Sequence, residues 1–377
     1  MQISTLGSPV WVDNIAALAK TCEEIKKHPI IGIDTESNSL FAYQEQVCLI
    51  QITANNIDYL IDPLGIPDLS AMGVILADPK IEKVFHAAEY DIICLKRDFD
   101  FEVTNIFDTM HACRILGEHD LGLSAQLEKH IGYVHNKKFQ RADWGKRPLT
   151  EEMLSYARID SHFLIRLRDI LREQLRAKRL MPLAAEDFLH LTMVQPTTAA
   201  EENGQVWRIL GNTRLPAEKV SILQALIDYR ENYAIKADVP PFKVLGNSVL
   251  LEIAQAAPQN KVELAQCGLT ERNLERHAKG LLATVKVGAT QPMPPRSGNH
   301  HPGNTYLRRY DLLRKWRKEK GIELGVESDI VLPKTLMESF AANAPQSKSA
   351  LRAAMHDYPW RFEHYSDDLL KLLKEKQ

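Results

Sequence analysis

The sequence of 377 residues predicts an α/β domain, in which a mixed sheet has helices on both faces, followed by two all-α helical bundles. Three observations indicate this fold class. Short β-branched apolar runs are concentrated in the first 90 residues. No convincing strand pattern follows residue 195, where the chain is helical in character. The helical remainder also contains an internal repeat, which is typical of a duplicated structural unit.

The first part of the chain mixes helical and strand periodicities. The stretch NIAALAKTCEEIKK has apolar residues at helical spacing, and Asp13 or Asn14 is placed to cap this helix. The runs IIGIDTE, VCLIQIT and DYLIDP follow at intervals of about ten residues or fewer, which predicts antiparallel strands joined by hairpins. A helix is expected over about 67–78, then a short strand KVFH, and helices from there to about residue 180.

The helical part contains two related segments. Residues 229–260 align without gaps on residues 316–347, and 9 of the 32 aligned positions are identical. These matches favour a duplicated helical unit, with two unrelated helical segments of similar composition as the alternative. The polar stretches MVQPTTAAEENG and QPMPPRSGNHHPGN are predicted as linkers. The expected domains are therefore 1–195, 203–286 and 303–377.

Composition excludes several classes of protein. Lys plus Arg number 47 and Asp plus Glu 49, so a nucleic acid or membrane would have to be bound by a local basic patch. The five cysteines are scattered and form no CxxC pair, which argues for a reducing compartment and against a disulfide framework or zinc cluster. The sequence shows no targeting pattern and no run of about 18 apolar residues. A soluble, cytoplasmic protein with no membrane partner is expected.

Two acidic residues end the first apolar run. Asp34 and Glu36 are two residues apart on a predicted strand, so their side chains share a face and Thr35 points the other way. Two neighbouring carboxylates repel each other, and one stays protonated unless a cation lies between them. The alternative is that the strand has ended and both acids are solvated. Further acidic residues close to this pair would favour the interpretation that a cation binds here.

Two other segments supply such acids. Asp91 is placed near the start of an apolar helix, where the alternative is a simple N-terminal acid favoured by the helix dipole. Tyr156 and Asp160 are four residues apart on a predicted long helix, on the face that also carries Met153 and Leu164. Burying an unpaired carboxylate on an apolar face is costly. A metal ion shared with the strand pair would supply the missing partner.

Together these residues resemble the three exonuclease motifs of the DEDD superfamily, tyrosine subclass. The motifs are Asp34-x-Glu36, Asp91 and Tyr156-x-x-x-Asp160. The stretch ALIDYRENYAIKADVPPFKVLGNSVLLEIAQAAP is similar to helicase-and-RNase-D C-terminal (HRDC) domains. An exonuclease domain followed by two HRDC units is the layout of the ribonuclease D family, and the resemblance covers nearly the whole chain. It implies a ribonuclease H-like exonuclease fold.

The second repeat departs from the first at one point. It has Glu327-Ser328-Asp329 where the first repeat has Pro240-Pro241-Phe242. This difference favours the first repeat over the second as the one that binds nucleic acid.

The resemblance also implies a metal-dependent mechanism. Carboxylate oxygens suit hard divalent cations such as Mg²⁺, which Mn²⁺ can replace, and two such ions can act on one phosphodiester. In the family pattern, Asp34, Glu36 and Asp160 would hold the metal that activates water. Asp34 would also reach a second metal, with Asp91 acting there through water molecules. Tyr156 would orient the attacking water by its hydroxyl group.

Two stretches are candidates for substrate binding. SNSLF resembles the family segment that contacts the terminal nucleotides, so Leu40 and Phe41 are expected to stack or wedge against a base, with capping of the core as the alternative. KKFQRADWGKRPLT places basic residues, among them Lys146 and Arg147, around Trp144, as in a site for single-stranded backbone. A solvated loop is the competing interpretation.

Three functions from different classes are consistent with these residues. The first is a 3′-5′ exoribonuclease, expected to be a monomer, that releases nucleoside 5′-monophosphates from RNA 3′ ends such as those of tRNA precursors. The second is a DNA 3′-5′ exonuclease, because no residue obviously recognises a 2′-hydroxyl. The third is a catalytically silent nucleic-acid-binding adaptor, against which the intact acidic set argues.

Overall fold

The computed structural model describes two compact units within the chain. The described residues are 6–196, 204–295 and 303–374. One unit comprises residues 1–36, 47–196 and 300–377, and the other comprises residues 37–46 and 197–299. Parts of both predicted linkers, 197–203 and 296–302, lie outside the described residues.

A six-stranded mixed sheet forms the centre of the first unit, as the sequence predicts. The strands are β1 (Val10–Val12), β2 (Ile30–Ser37), β3 (Val47–Ala54), β4 (Ile57–Ile61), β5 (Glu82–Phe85) and β6 (Ile106–Asp108). Their order is β1-β4-β3-β2-β5-β6. β3 and β4 pair antiparallel, which confirms one predicted hairpin, whereas β1–β4, β2–β5 and β5–β6 are parallel. The sequence patterns missed β1 and β6, because three residues are too few to show a period.

Helices cover both faces of this sheet, which confirms the predicted α/β fold. They are α1 (Ile15–Ile25), α2 (Ser70–Ala77), α3 (Glu89–Phe99), α4 (Thr109–Leu116), α5 (Leu123–Ile131), α6 (Glu151–His162), α7 (Leu164–Ala177) and α8 (Met181–Thr192). Asn14 caps α1, since its side chain accepts a hydrogen bond from the Ala17 amide at 2.9 Å. All eight residues of β3 are buried, because the strand packs in two core clusters, one with Ile50 and Ile52 and another with Cys48 and Leu49. The long helix expected near residue 160 is two helices that meet at Phe163.

The two helical repeats have the same succession of helices. The first comprises α9 (Gln205–Leu210), α10 (Ala217–Ala237), α11 (Pro241–Val244), α12 (Asn247–Ala256), α13 (Lys261–Ala265) and α14 (Glu271–Gly288). The second comprises α15 (Asn304–Leu324), α16 (Ser328–Val331), α17 (Lys334–Asn343), α18 (Lys348–Ala354) and α19 (Pro359–Lys374). α10 to α13 and α15 to α18 begin 87 residues apart, so the predicted duplication is confirmed.

Equivalent side chains of the repeats also make equivalent contacts. An Nη1 atom of Arg230 donates to the Leu245 carbonyl at 3.2 Å, and that of Arg317 donates to the Leu332 carbonyl at 3.0 Å. In each repeat an arginine, buried in the first and half-buried in the second, thus ties the long helix to the short helix that follows. These arginines are among the residues that the sequence alignment matches.

The second repeat packs on the exonuclease-like domain within the first unit. Arg361 of α19 is fully buried, and its guanidinium donates to Glu186 at 2.8 Å and to Asp187 at 2.8 Å, both on α8. The same guanidinium donates to the carbonyl of Ile330. Because the buried charge has carboxylate partners and hydrogen bonds on several sides, it specifies how α19 meets α8.

A second set of ion pairs accounts for the divergence of the second repeat. Glu327 and Asp329 both accept from Arg114 Nη2 on α4, at 2.7 Å and 2.6 Å. The first repeat has Pro240 and Phe242 at the corresponding positions. The acidic side chains of the second repeat therefore contact α4 within the first unit, while both remain partly exposed to solvent.

Two further observations concern the cysteines and the lengths of the helices. All five cysteines lie within the described ranges, where they are buried and form no disulfide bond. Among the helices of the described ranges, none combines the length and the apolar character needed to cross a bilayer.

Gly32 sets how closely α6 approaches β2. A Cβ atom at Gly32 would lie 2.6 Å from the carbonyl oxygen of Ser161, so only glycine allows this approach. The Ser161 hydroxyl also lies 2.8 Å from that of Thr53 on β3. Buried Asp58 on β4 accepts from Arg158 Nε of α6 at 2.8 Å. These polar contacts thus hold α6 against the face of the sheet that it covers.

We expect Gly32→Ala to lower the free energy of unfolding by about 1–3 kcal/mol, because the added methyl group overpacks the β2–α6 contact. Chemical denaturation of the full chain measures this change. Gly7→Ala is the matched control, since position 7 is exposed and a Cβ atom there meets nothing within 4 Å. A Gly32→Ala protein as stable as the control would show that α6 can move away from β2 at little cost.

Candidate active site

Three carboxylates converge where the end of β2 faces α6. Asp34 and Glu36 lie on β2 and Asp160 lies on α6, and one oxygen from each side chain lies within 4.8 Å of the others. The period of two along the strand places the first pair on one face. The close approach at Gly32 then places the helix acid opposite them. All three side chains are half-buried.

Asp91 lies beside this cluster rather than within it. It occupies the first turn of α3, is 7% exposed, and accepts a hydrogen bond from Thr35 Oγ1 at 2.5 Å. Thr35 turns away from the Asp34 and Glu36 pair, as the strand pattern predicts, and this orientation brings its hydroxyl to Asp91. The fourth acid is therefore fixed by the residue between the first two.

Burial and mutual repulsion raise the pKa values of these acids. Desolvation, followed by the charges of Asp91 and Asp160, raises the pKa of Asp34 well above its usual range, and the pKa of Glu36 rises for similar reasons. Desolvation is the first cause at Asp91 too, where the pKa rises to about 7, and it also raises the pKa of Asp160. The acids cannot all be ionised at neutral pH without nearby positive charge.

This donor set fits hard divalent cations. Asp34, Glu36 and Asp160 offer carboxylate oxygens, which Mg²⁺ and Mn²⁺ prefer, and no thiolate belongs to the cluster. The raised pKa values are those expected of ligands that gain their compensating charge from a bound ion. A cation-binding site is thus the chemistry that these residues support best.

Tyr156 lies one turn before Asp160 on the same helix, in an aromatic setting. Its ring centroid is 4.9 Å from that of His135, 5.8 Å from Phe139 and 6.1 Å from Trp144. Burial first, and then the charge of Asp160, raise the pKa of the phenol further above its usual value. The hydroxyl group therefore stays protonated at neutral pH and acts as a hydrogen-bond donor rather than as a base.

Sequence reasoning missed His135. Its Nε2 atom lies 3.1 Å from Asp160 Oδ1, and its side chain is 6% exposed. It precedes the basic stretch that the sequence singles out, in a loop without a helical or strand period. No local pattern could place it beside Asp160, which lies 25 residues further along the chain.

The substrate-binding candidates Leu40 and Phe41 lie in the second unit. The segment 37–46, which contains both, clusters with the first helical repeat. Lys243 Nζ lies 4.2 Å from the centre of the Phe41 ring, a cation–π contact. The Tyr43 amide donates to Asp238 Oδ1 at 3.1 Å. Phe41 thus has a basic partner from the repeat itself.

The basic loop before α6 is partly structural. Trp144 is 1% exposed, so its ring belongs to the core and is not available to stack on a base. The Arg147 guanidinium donates to both Asp62 oxygens, at 2.7 Å and 2.6 Å, and to three carbonyl groups nearby. Lys146 is different, because its side chain is 79% exposed and has only a loose ion pair, 3.6 Å, with Asp143.

A cavity of about 340 Å³ opens beside Tyr156. Its walls include His135, Phe139 and Tyr156, and charged Lys138 and Glu152 stand at its side. Lys138 and Glu152 form an exposed ion pair at 2.6 Å. The cavity thus presents aromatic side chains and a cation beside Tyr156.

Family models match both parts of the chain. Residues 9–176 match the 3′-5′ exonuclease model, and residues 220–285 and 307–373 each match the HRDC domain model. Ribonuclease D of Escherichia coli (strain K12) is 31% identical over 278 residues, which cover 73% of this chain and 74% of that protein.

Solved structures and longer relatives agree with this match. The crystal structure of Escherichia coli RNase D superposes with a TM-score of 0.71 and 26% identity, covering 98% of this chain and 100% of that one. The exosome complex exonuclease RRP6 of Saccharomyces cerevisiae is 32% identical over 294 residues, which are 74% of this chain but 40% of that protein. The chain thus spans less than half the length of this relative. From its domains and its relatives, the chain belongs to the ribonuclease D family of 3′-5′ exonucleases.

Proposed function

We propose that the protein is a 3′-5′ exoribonuclease that releases nucleoside 5′-monophosphates from RNA 3′ ends. The observation that carries this proposal is the convergence of Asp34, Glu36 and Asp160 within 4.8 Å, one helical turn from Tyr156. Escherichia coli RNase D is described as an exoribonuclease involved in structured RNA processing. This similarity supports RNA, and structured 3′ ends such as those of tRNA precursors, as the substrate.

The acids would bind two divalent cations, Mg²⁺ or Mn²⁺. Asp34, Glu36 and Asp160 would hold one, and Asp34 with Asp91 would hold the other, the latter through water. When bound, such a pair stabilises the charge that develops on the attacking and leaving oxygens of the phosphodiester. Asp91 keeps its orientation through the hydrogen bond from Thr35.

Tyr156 would orient the attacking water. The protonated phenol donates a hydrogen bond, and the packing of its ring on His135, Phe139 and Trp144 fixes the direction of that donor. An oriented water loses less freedom on reaching the transition state. The residue therefore affects turnover more than substrate affinity.

Exposed cations and aromatic rings would bind the RNA strand. Lys146 is free to meet a phosphate, and Phe41 with Lys243 presents a ring beside a positive charge. Leu40 would contribute apolar contact with a terminal base. Arg147 would act through the loop, since Asp62 already occupies its guanidinium.

The remaining expectations are also part of this proposal. We infer domain boundaries at 1–195, 203–286 and 303–377, a monomeric protein, and a reducing cytoplasmic location. The buried cysteines, none of which forms a disulfide bond in the described ranges, support a reducing compartment.

The test compares matched RNA and DNA oligomers that carry a label on the 3′-terminal nucleotide. With Mg²⁺, the full-length chain should release the label from RNA as a nucleoside 5′-monophosphate, and a chelator should stop the reaction. Release from DNA at an equal or higher rate would favour the DNA exonuclease. Binding of RNA without any release would favour the silent adaptor.

Asp34→Asn and Asp160→Asn should each lower turnover by about 10³-fold, because each removes a charge that the transition state depends on. Glu151→Gln is the matched control, since it makes the same carboxylate-to-amide change at an exposed position of α6 and should leave turnover unchanged. Activity near the wild-type level in either aspartate variant would contradict the assignment of these residues.

Tyr156→Phe should lower kcat by roughly 10²-fold and leave KM for RNA nearly unchanged. The phenyl ring keeps its packing while the hydroxyl group that orients water is lost, and such groups contribute about 10²–10⁴-fold. Steady-state kinetics on the labelled RNA measure both constants. A wild-type kcat would mean that Tyr156 serves only the packing of the aromatic cluster.

A further inference from the structure

His135 contacts two residues of the candidate site at once. Its Nε2 atom is 3.1 Å from Asp160 Oδ1, and its ring centroid is 4.9 Å from that of Tyr156, with the ring planes tilted by 32°. One buried side chain thus meets both the carboxylate and the phenol of α6. It does so from a loop that belongs to neither α6 nor β2.

The loop after α5 holds His135 in place. Gly132, with φ +74°, ends α5, and the ring of the next residue, Tyr133, packs 4.9 Å from the ring of Phe163. The carbonyl group of His135 accepts a hydrogen bond from Ser124 Oγ at 3.3 Å. Because the backbone is tied on both sides and the side chain is 6% exposed, the imidazole has little rotational freedom.

The Nε2 atom of His135 is a buried polar group that points into the site without an aligned partner. Its distance to Asp160 is within hydrogen-bond reach, but the angle is poor, and no other described residue bonds this nitrogen. A buried polar group left unpaired is unfavourable. A small rotation of the carboxylate would align the contact, and catalytic hydrogen bonds commonly tighten in this way when the site is loaded.

We propose that His135 is a positioning residue, whose Nε2–H holds the Asp160 carboxylate in the orientation that binds a divalent cation while its ring fixes Tyr156. The proposal rests on the proposed function, because it assigns His135 to the same site. Carboxylates that bind metals are themselves held by hydrogen bonds, and removing such a partner lowers metal affinity about 10- to 100-fold. His135 acts through Asp160 and Tyr156, so it is not a catalytic residue.

Two substitutions distinguish the role of the Nε2–H donor from the role of the ring that packs on Tyr156. His135→Phe keeps a ring to pack on Tyr156 but removes the donor, whereas His135→Gln keeps a donor at similar reach and removes the ring. Isothermal titration calorimetry of the metal-free full-length chain with Mn²⁺ measures the affinity directly. We expect His135→Phe to bind Mn²⁺ about 10-fold more weakly, and His135→Gln to stay within a few-fold of the wild type.

Three further measurements complete the experiment. His130→Phe, the same change at the end of α5, should leave Mn²⁺ affinity unchanged. KM for RNA at saturating metal should be the same in His135→Phe and the wild type, and thermal melting without metal should show that each variant is folded. If His135→Phe does not fold, His135→Gln decides, because an affinity more than about 10-fold below the wild type would then overturn the proposal.

The possible results distinguish a failure of the positioning role of His135 from a failure of the proposed function. Wild-type Mn²⁺ binding without RNA cleavage would contradict the function and leave the histidine test valid. Normal cleavage with unchanged or tighter Mn²⁺ binding in His135→Phe would contradict the positioning role alone. Tighter binding in particular would show that His135 competes with the cation for Asp160.

Discussion

The crowding of like charges where β2 meets α6 is the constraint on which the rest of the structure depends. Two full charges 4.8 Å apart repel each other by about 3.5 kcal/mol at an effective dielectric constant of 20. Asp34, Glu36 and Asp160 nevertheless share this spacing in a partly desolvated setting. The fold brings the three acids together, and their mutual repulsion favours a cation bound among them.

The contacts that oppose this repulsion lie around α6. Gly32 allows the helix to approach the backbone of β2, and Asp58 on β4 binds Arg158 and His162 of the same helix. These contacts join α6 to the sheet, and none of them involves the three clustered carboxylates. Because the helix is fixed from outside the cluster, the acids can keep an unfavourable arrangement that serves binding.

The two helical repeats share one architecture but differ in what their surfaces contact. The second repeat uses Arg361, Glu327 and Asp329 to pack on α8 and α4 within the first unit. The first repeat clusters with the segment 37–46, where Lys243 covers Phe41 and Asp238 binds the amide of Tyr43. A duplicated unit has thus acquired two sets of contacts through substitutions at equivalent positions.

Sequence patterns predicted those features that depend on local periodicity. The spacing of Asp34 and Glu36 fixes their shared face, and the interval between Tyr156 and Asp160 does the same on α6. The pattern could not show that Trp144 is buried, because charged neighbours in a loop do not reveal which side chain turns inward. His135 escaped notice because its place depends on the path of a loop and not on any period.

Sequence patterns also could not predict contacts between residues that are far apart in the chain. Arg361 and Glu186 are 175 residues apart, and each is an ordinary charged residue on an amphipathic helix until the two helices meet. The divergence of the second repeat was visible in the sequence, but its cause was not. The structural cause is that the two acidic side chains both accept hydrogen bonds from Arg114.

The most direct test of the central claim is a crystal structure of the full chain grown with Mn²⁺, with anomalous diffraction data that locate the ion. The expected result is an anomalous peak within coordination distance of oxygens from Asp34, Glu36 and Asp160. An empty carboxylate cluster at an Mn²⁺ concentration that supports RNA cleavage would contradict the claim.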